Sequence, residues 1–95
     1  MSRVGAFISA RDDDKVIEFL GYGEYVGCEV PPEEVGGYNM GLPNPKIKLD
    51  NGETVWGCQC WWGPEVSIQR KLKEYEAAGY TIRTMTLAEA IKEHE

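Results

Sequence analysis

A chain of 95 residues has room for one small domain, and 42% hydrophobic content supports a packed core rather than a disordered chain. Sixteen acidic against ten basic side chains give a net charge of −6, which disfavours direct binding to a nucleic-acid backbone. No apolar run approaches the roughly 20 residues needed to cross a bilayer, so no membrane partner is expected.

The N-terminal MSRVGAFISARDDD has only a short apolar patch followed by three aspartates, a poor match to a secretory signal. A cytoplasmic protein is therefore expected. RVGAFISA and KVIEFLGYGEYVGCEV read as strands joined by the polar turn RDDDK. Gly21, Gly23 and Gly27 interrupt the second run and mark bulges or sharp bends in a curled sheet. The same glycines do not make a phosphate loop, because no Lys-Ser/Thr pair or helix follows them. Residues 12–45 hold eight acids and one lysine, a local net charge of −7, whereas residues 46–95 are nearly balanced at −1.

Next, PPEEVGGYNMGLPNP, residues 31–45, is a long loop rich in proline and glycine. Such loops either wrap a sheet or bind a ligand. KIKLDNGETVW then signals a hairpin about Asn51-Gly52, with a two-residue turn that pairs Leu49 with Thr54 and Ile47 with Trp56. Period-two alternation continued through VWGCQCWW places Ile47, Leu49, Trp56, Cys58, Cys60 and Trp62 on the core face. Lys46, Lys48, Val55, Gln59 and Trp61 fall on the other.

Gly63-Pro64 opens a helix, with proline at its first helical position, and Gly79 closes it. Ile68, Leu72 and Tyr75 share the face that docks on the sheet. YTIRTM is a short strand. Thr86 and Glu89 form a capping box for a last helix over 87–94, with Leu87, Ala90, Ile91 and His94 inward. The whole is a single α+β domain spanning 1–95. It is a small bent antiparallel sheet or partly open β-barrel with a docked helix, a further strand and a C-terminal helix.

Three cysteines without a secretory signal argue for reduced thiols rather than a disulfide framework. Cys28, Cys58, Cys60 and His94 contain the donors of a tetrahedral zinc site. Against that reading, a one-residue spacer is short for structural zinc, and free cysteines often pack as small hydrophobes. Buried thiols are therefore expected, with structural zinc as an alternative. The acids fall on turns and helix surfaces, and a lone histidine gives little support to a cysteine nucleophile, so no enzyme and no cofactor are expected.

A binding surface is better supported. Trp61 points away from the inferred core, and Tyr22, Tyr25 and Tyr38 lie in glycine-rich segments that present rings. Met40 with Glu33 and Glu34 completes the expected site, whose acidic rim favours a basic protein partner. The opposing structural reading buries Trp61 beneath Ile68, Leu72 and Tyr75. The run NPKIKLDNGETVWGCQCWWGPE, about a quarter of the chain, resembles small uncharacterised bacterial or phage-encoded proteins that share Leu-Asp-x-Gly followed by Trp-Gly-Cys-x-Cys-Trp-Trp-Gly. That resemblance brings no assigned activity and implies a prokaryotic or phage origin. The expected function is a non-enzymatic protein-binding module or modulator, with a homodimer as one form of that contact. The alternative is a small-molecule pocket at the barrel mouth, lined by Tyr22, Tyr38 and Met40 and closed by the 31–45 loop.

Overall fold

The computed structural model describes residues 3–9, 15–32 and 42–93. Among the described residues, six strands and two helices follow in the order β1 (Arg3–Ser9), β2 (Val16–Glu29), β3 (Asn44–Leu49), β4 (Thr54–Trp56), β5 (Trp61–Pro64), α1 (Glu65–Ala77), β6 (Thr81–Thr84) and α2 (Leu87–Glu93). They form an α+β fold on one open sheet of strand order β4-β3-β2-β1-β5, and β6 also pairs with β2. The sheet is not closed into a barrel. Its pairing is antiparallel except for β6, which runs parallel to β2 after the crossover through α1. No described helix is long and apolar enough to cross a membrane.

β2 is the spine, and its glycines shape it. Opposite β1 the register slips, so that Ala6 faces Gly21 and Phe7 faces Phe19, with Gly21 at φ 126°. Opposite β3 a second slip, between Tyr25 and Cys28, contains Gly27 at φ 114°. Both are bulges of the kind glycine permits, and each resets which residues point to which face. Gly23 serves a different need. A β-carbon there would stand 2.6 Å from Leu49 Cα, so only glycine lets β2 and β3 approach so closely.

The hairpin departs from the expected register. Lys48 pairs with Thr54, Ile47 with Val55 and Lys46 with Trp56, one residue off the pairing of a two-residue turn. Gly52 N–H donates to Leu49 O at 3.0 Å, Gly52 takes φ 91°, and Leu49 N–H donates to Glu53 O at 2.8 Å. This is a three-residue loop that ends on a left-handed glycine, and Asn51 Oδ1 accepts from Glu53 N–H at 2.8 Å to hold it. The extra loop residue pairs Ile47 with Val55 instead of Trp56 and brings Val55 into the core, while Trp56 is buried as expected.

Nor does the strand run on to Trp62. The chain turns at Gly57–Cys60, where Gly57 N–H donates to Pro45 O and Gln59 N–H to Trp56 O, both at 2.8 Å. It then crosses from one end of the strand order to the other and resumes as β5 against β1. Strict alternation from Ile47 to Trp62 therefore fails. The expected burial of the thiols fails with it: Cys58 and Cys28 are exposed and Cys60 is half-buried.

Two cores result, one on each side of the sheet. Under α1, Phe7, Ile17, Ile68 and Leu72 pack with Phe19, Tyr22, Tyr75 and Tyr80. A β-carbon at Gly5 would lie 2.9 Å from Ile68 Cγ2, so glycine seats the helix there. On the opposite side, Val4, Ala6, Leu20, Ile47 and Val55 pack with Leu87 and Ala90 of α2. Glu18 is almost fully buried, and no buried side-chain nitrogen or oxygen among the described residues lacks a partner.

Local chemistry sets the helix ends. α1 begins one residue later than the sequence pattern places it, with Pro64 as N-cap at the end of β5. At its C-terminus Gly79 takes φ 94°, Gly79 N–H donates to Glu76 O and Tyr80 N–H to Tyr75 O. The Tyr75 and Tyr80 rings meet with centroids 5.0 Å apart, the apolar contact that accompanies this type of helix stop. α2 has the expected capping box, Glu89 N–H to Thr86 Oγ1 and Thr86 N–H to Glu89 Oε1, both 3.1 Å. Hydrogen bonding from Thr86, its backbone N–H first and its hydroxyl second, holds the Glu89 carboxyl below its usual pKa. Leu87 and Ala90 face inward as expected, but Ile91 is half exposed.

Candidate functional site around Trp61

Trp61 opens β5, an end strand of the sheet, and pairs with Phe7 of β1. Its neighbour Trp62 pairs with Ala6 and therefore faces the opposite side. Trp61 keeps 67% of its surface exposed, whereas Trp62 packs against the α2-side core. The outward Trp61 is thus present, although the alternation that led to it is broken. Its position comes from the β1/β5 register. α1 does not cover it; Phe7, with Gly5, occupies the space beneath Ile68, Leu72 and Tyr75.

Two depressions meet at this indole. The larger, about 510 Å³, is lined by Ile8, Cys58, Gln59, Cys60, Trp61 and Trp62, with Gly57 at its edge. The smaller, about 200 Å³, lies between Phe7, Trp61, Lys71 and Tyr75. A further shallow hollow of about 260 Å³ continues along α1 past Lys71, Glu74, Tyr75, Ala78 and Tyr80. One rim of the site is therefore aromatic with a lysine, and the other is a thiol-bearing turn.

The remaining sequence-predicted residues scatter. Tyr22 is half-buried under α1, edge-on to Phe19 at 4.9 Å, and does not line either depression. Tyr25 lies on the other face, stacked on Trp62 at 5.4 Å with ring planes 4° apart. Its hydroxyl meets Cys28 Sγ at 3.2 Å, which raises the phenol pKa. Both rings are structural packing rather than presented surface. Tyr38, Met40, Glu33, Glu34 and His94 lie outside the described residues. The expected acidic rim is accordingly not part of the described site, where Lys71 is the charged group beside Trp61.

The cysteines do not assemble as the zinc alternative requires. Among the described residues no group of three or more His, Cys, Asp or Glu side chains could hold a metal ion. Cys28 sits far along β2, paired with Pro45 and bonded to Tyr25. Cys60 Sγ donates to Trp56 O at 3.5 Å, and burial, reinforced by the nearby Cys58, pushes its thiol up to about 12. Phe7, Ile8, Lys71 and Tyr75 were missed as site residues. Their sequence pattern shows strand and helix faces, but only the β1/β5 pairing brings them to Trp61.

Neither family models, curated proteins nor solved structures contain a match to this chain.

Proposed function

We propose that this chain is a non-enzymatic protein-binding module that docks partners through Trp61. The observation that carries this reading is a tryptophan 67% exposed on an end strand, standing between two depressions. A large indole is costly to leave in water, and truncating such an anchor in a contact typically costs about 2 kcal/mol or more. The acidic 12–45 segment supports long-range attraction of a basic partner, while Lys71 sets a positive charge at the contact itself. A cytoplasmic setting belongs to the same reading. The test is affinity capture with immobilised wild-type and Trp61→Ala protein at low and raised salt. Specific partners should be lost from the Trp61→Ala bait, with at least about a tenfold drop in affinity. Capture that survives both the substitution and the salt overturns the proposal.

The small-molecule alternative has one observation in its favour, away from its original place. With the sheet open there is no barrel mouth, but the 510 Å³ depression lies within the roughly 300–1,000 Å³ of ligand pockets. A thermal-shift screen of nucleotides and metabolites would support it through a rise in melting temperature that Trp61→Ala removes.

A further inference from the structure

The Cys58-Gln59-Cys60 sequence lies on a turn that is pinned at both ends. Gly57 N–H donates to Pro45 O and Gln59 N–H to Trp56 O, both at 2.8 Å, while Gln59 Oε1 accepts from Trp56 N–H at 3.1 Å. A β-carbon at Gly57 would come within 2.8 Å of Pro45 Cδ, so the turn is packed as well as bonded. Both cysteines line the wall of the same 510 Å³ depression. Cys58 is exposed and reachable, and Cys60 is the inner, half-buried partner.

The chemistry of the lining selects among ions. Among the described residues, apart from the two thiols, it consists of Ile8, Gly57, Gln59 and two indoles, with no carboxylate or imidazole. Among the described residues no third His, Cys, Asp or Glu joins the pair in a metal-binding group. Zinc in structural sites takes four protein ligands, and calcium and magnesium take oxygen. Two sulfurs alone suit a soft cation that is content with low coordination, and thiolates select Cu(I).

We propose that Cys58 and Cys60 together bind one soft monovalent cation of the chemistry of Cu(I). On binding, two S–H bonds break and two Cu–S bonds form, and both protons leave to solvent with no change of oxidation state. Cys60 gives up its bond to Trp56 O in the process. This inference is independent of protein docking through Trp61, so either can fail alone.

Cys28, exposed, in contact with the Tyr25 hydroxyl and not among the residues that line the depression, serves as the internal control. Reduced full-length protein is titrated anaerobically against the Cu(I)–bicinchoninate complex, following loss of its visible absorbance. Wild type and Cys28→Ser should each withdraw one equivalent with equal affinity. Cys58→Ser and Cys60→Ser should each bind about 100-fold more weakly, the loss of a chelating partner at high effective concentration. Circular dichroism checks the fold of Cys60→Ser; if that variant unfolds, Cys58→Ser, altered at an exposed position, decides the matter alone. Equal affinities for wild type and Cys58→Ser would overturn the proposal, as would loss of uptake in Cys28→Ser. Zn(II) binding as tight as Cu(I) would overturn the ion class.

Discussion

At the scale of single residues, Cys60 shows how burial alters chemistry. Its thiol is held neutral by desolvation first and by Cys58 second, so its pKa rises from 9.0 to about 12. A raised pKa means that the unfolded chain releases this proton before the folded one does. The stabilisation is therefore complete below about pH 9 and is lost progressively as pH rises towards 12. The limiting slope is about 1.4 kcal/mol per pH unit, reduced in practice by the part of the side chain that water reaches. Urea unfolding at pH 8.5 and pH 11 should show a larger fall in midpoint for wild type than for Cys60→Ala, which has no proton to lose. An equal fall in both would mean that the thiol ionises as freely in the folded protein as in the unfolded chain. Arg3 illustrates the opposite case. Its fork meets Asp50 at 2.8 and 2.6 Å and lies 3.6 Å from Glu65, yet these are exposed groups that water and salt screen.

Among the elements, α2 is the one whose existence depends most on a distant residue. Seven residues are too few to hold a helix by propensity. Its capping box satisfies the third backbone donor, and Glu53, at the end of the β3–β4 hairpin loop, satisfies the first two. Leu87 N–H donates to Glu53 Oε1 at 2.7 Å and Ala88 N–H to Glu53 Oε2 at 3.2 Å. One carboxylate thus ties the hairpin to the helix N-terminus, where negative charge is also favoured by the helix dipole. Glu53→Ala should cost about 2 kcal/mol, compared with about 1 kcal/mol for Thr86→Ala, because it removes two bonds and the tether. Chemical denaturation reads the ranking, and hydrogen exchange over 87–90 should show α2 opening first. If Thr86→Ala proves the more damaging, the local cap rather than the tertiary one holds the helix.

For the whole molecule, the decisive feature is a sheet covered on both faces yet left open at Trp61, where β5 begins. α1 and α2 take opposite sides, and adjacent residues on β5 therefore meet opposite fates. Trp62, partly buried, stacks on Tyr25 against the α2-side core, while Trp61 stands largely in solvent. Trp62→Ala should destabilise by about 3 kcal/mol, in the range for large aromatic truncations. Trp61→Ala should stay within about 0.5 kcal/mol of wild type, as exposed substitutions do. Thermal melts of the two variants check this, and the second result also qualifies Trp61→Ala as a clean probe of docking. Comparable losses in both would place Trp61 in a packed environment.

The amino-acid sequence by itself determined the kinds of element and most of their ends. Pro64 and Gly79 bracket α1, Thr86 and Glu89 start α2, and Gly21 and Gly27 mark bulges, because each depends on backbone stereochemistry within a few residues. What tertiary structure alone decided was which faces meet. A hairpin loop one residue longer moved Val55 into the core, and a turn at Gly57–Cys60 exposed Cys58. The β1/β5 pairing then gathered Phe7, Lys71 and Tyr75 around Trp61. The physical reason is the two-residue repeat of a strand: a shift of one position, set by hydrogen bonds to Leu49 or Pro45, changes which side chains face one another until the next turn or strand pairing resets the faces, as the β1/β5 pairing does for Trp61 and Trp62.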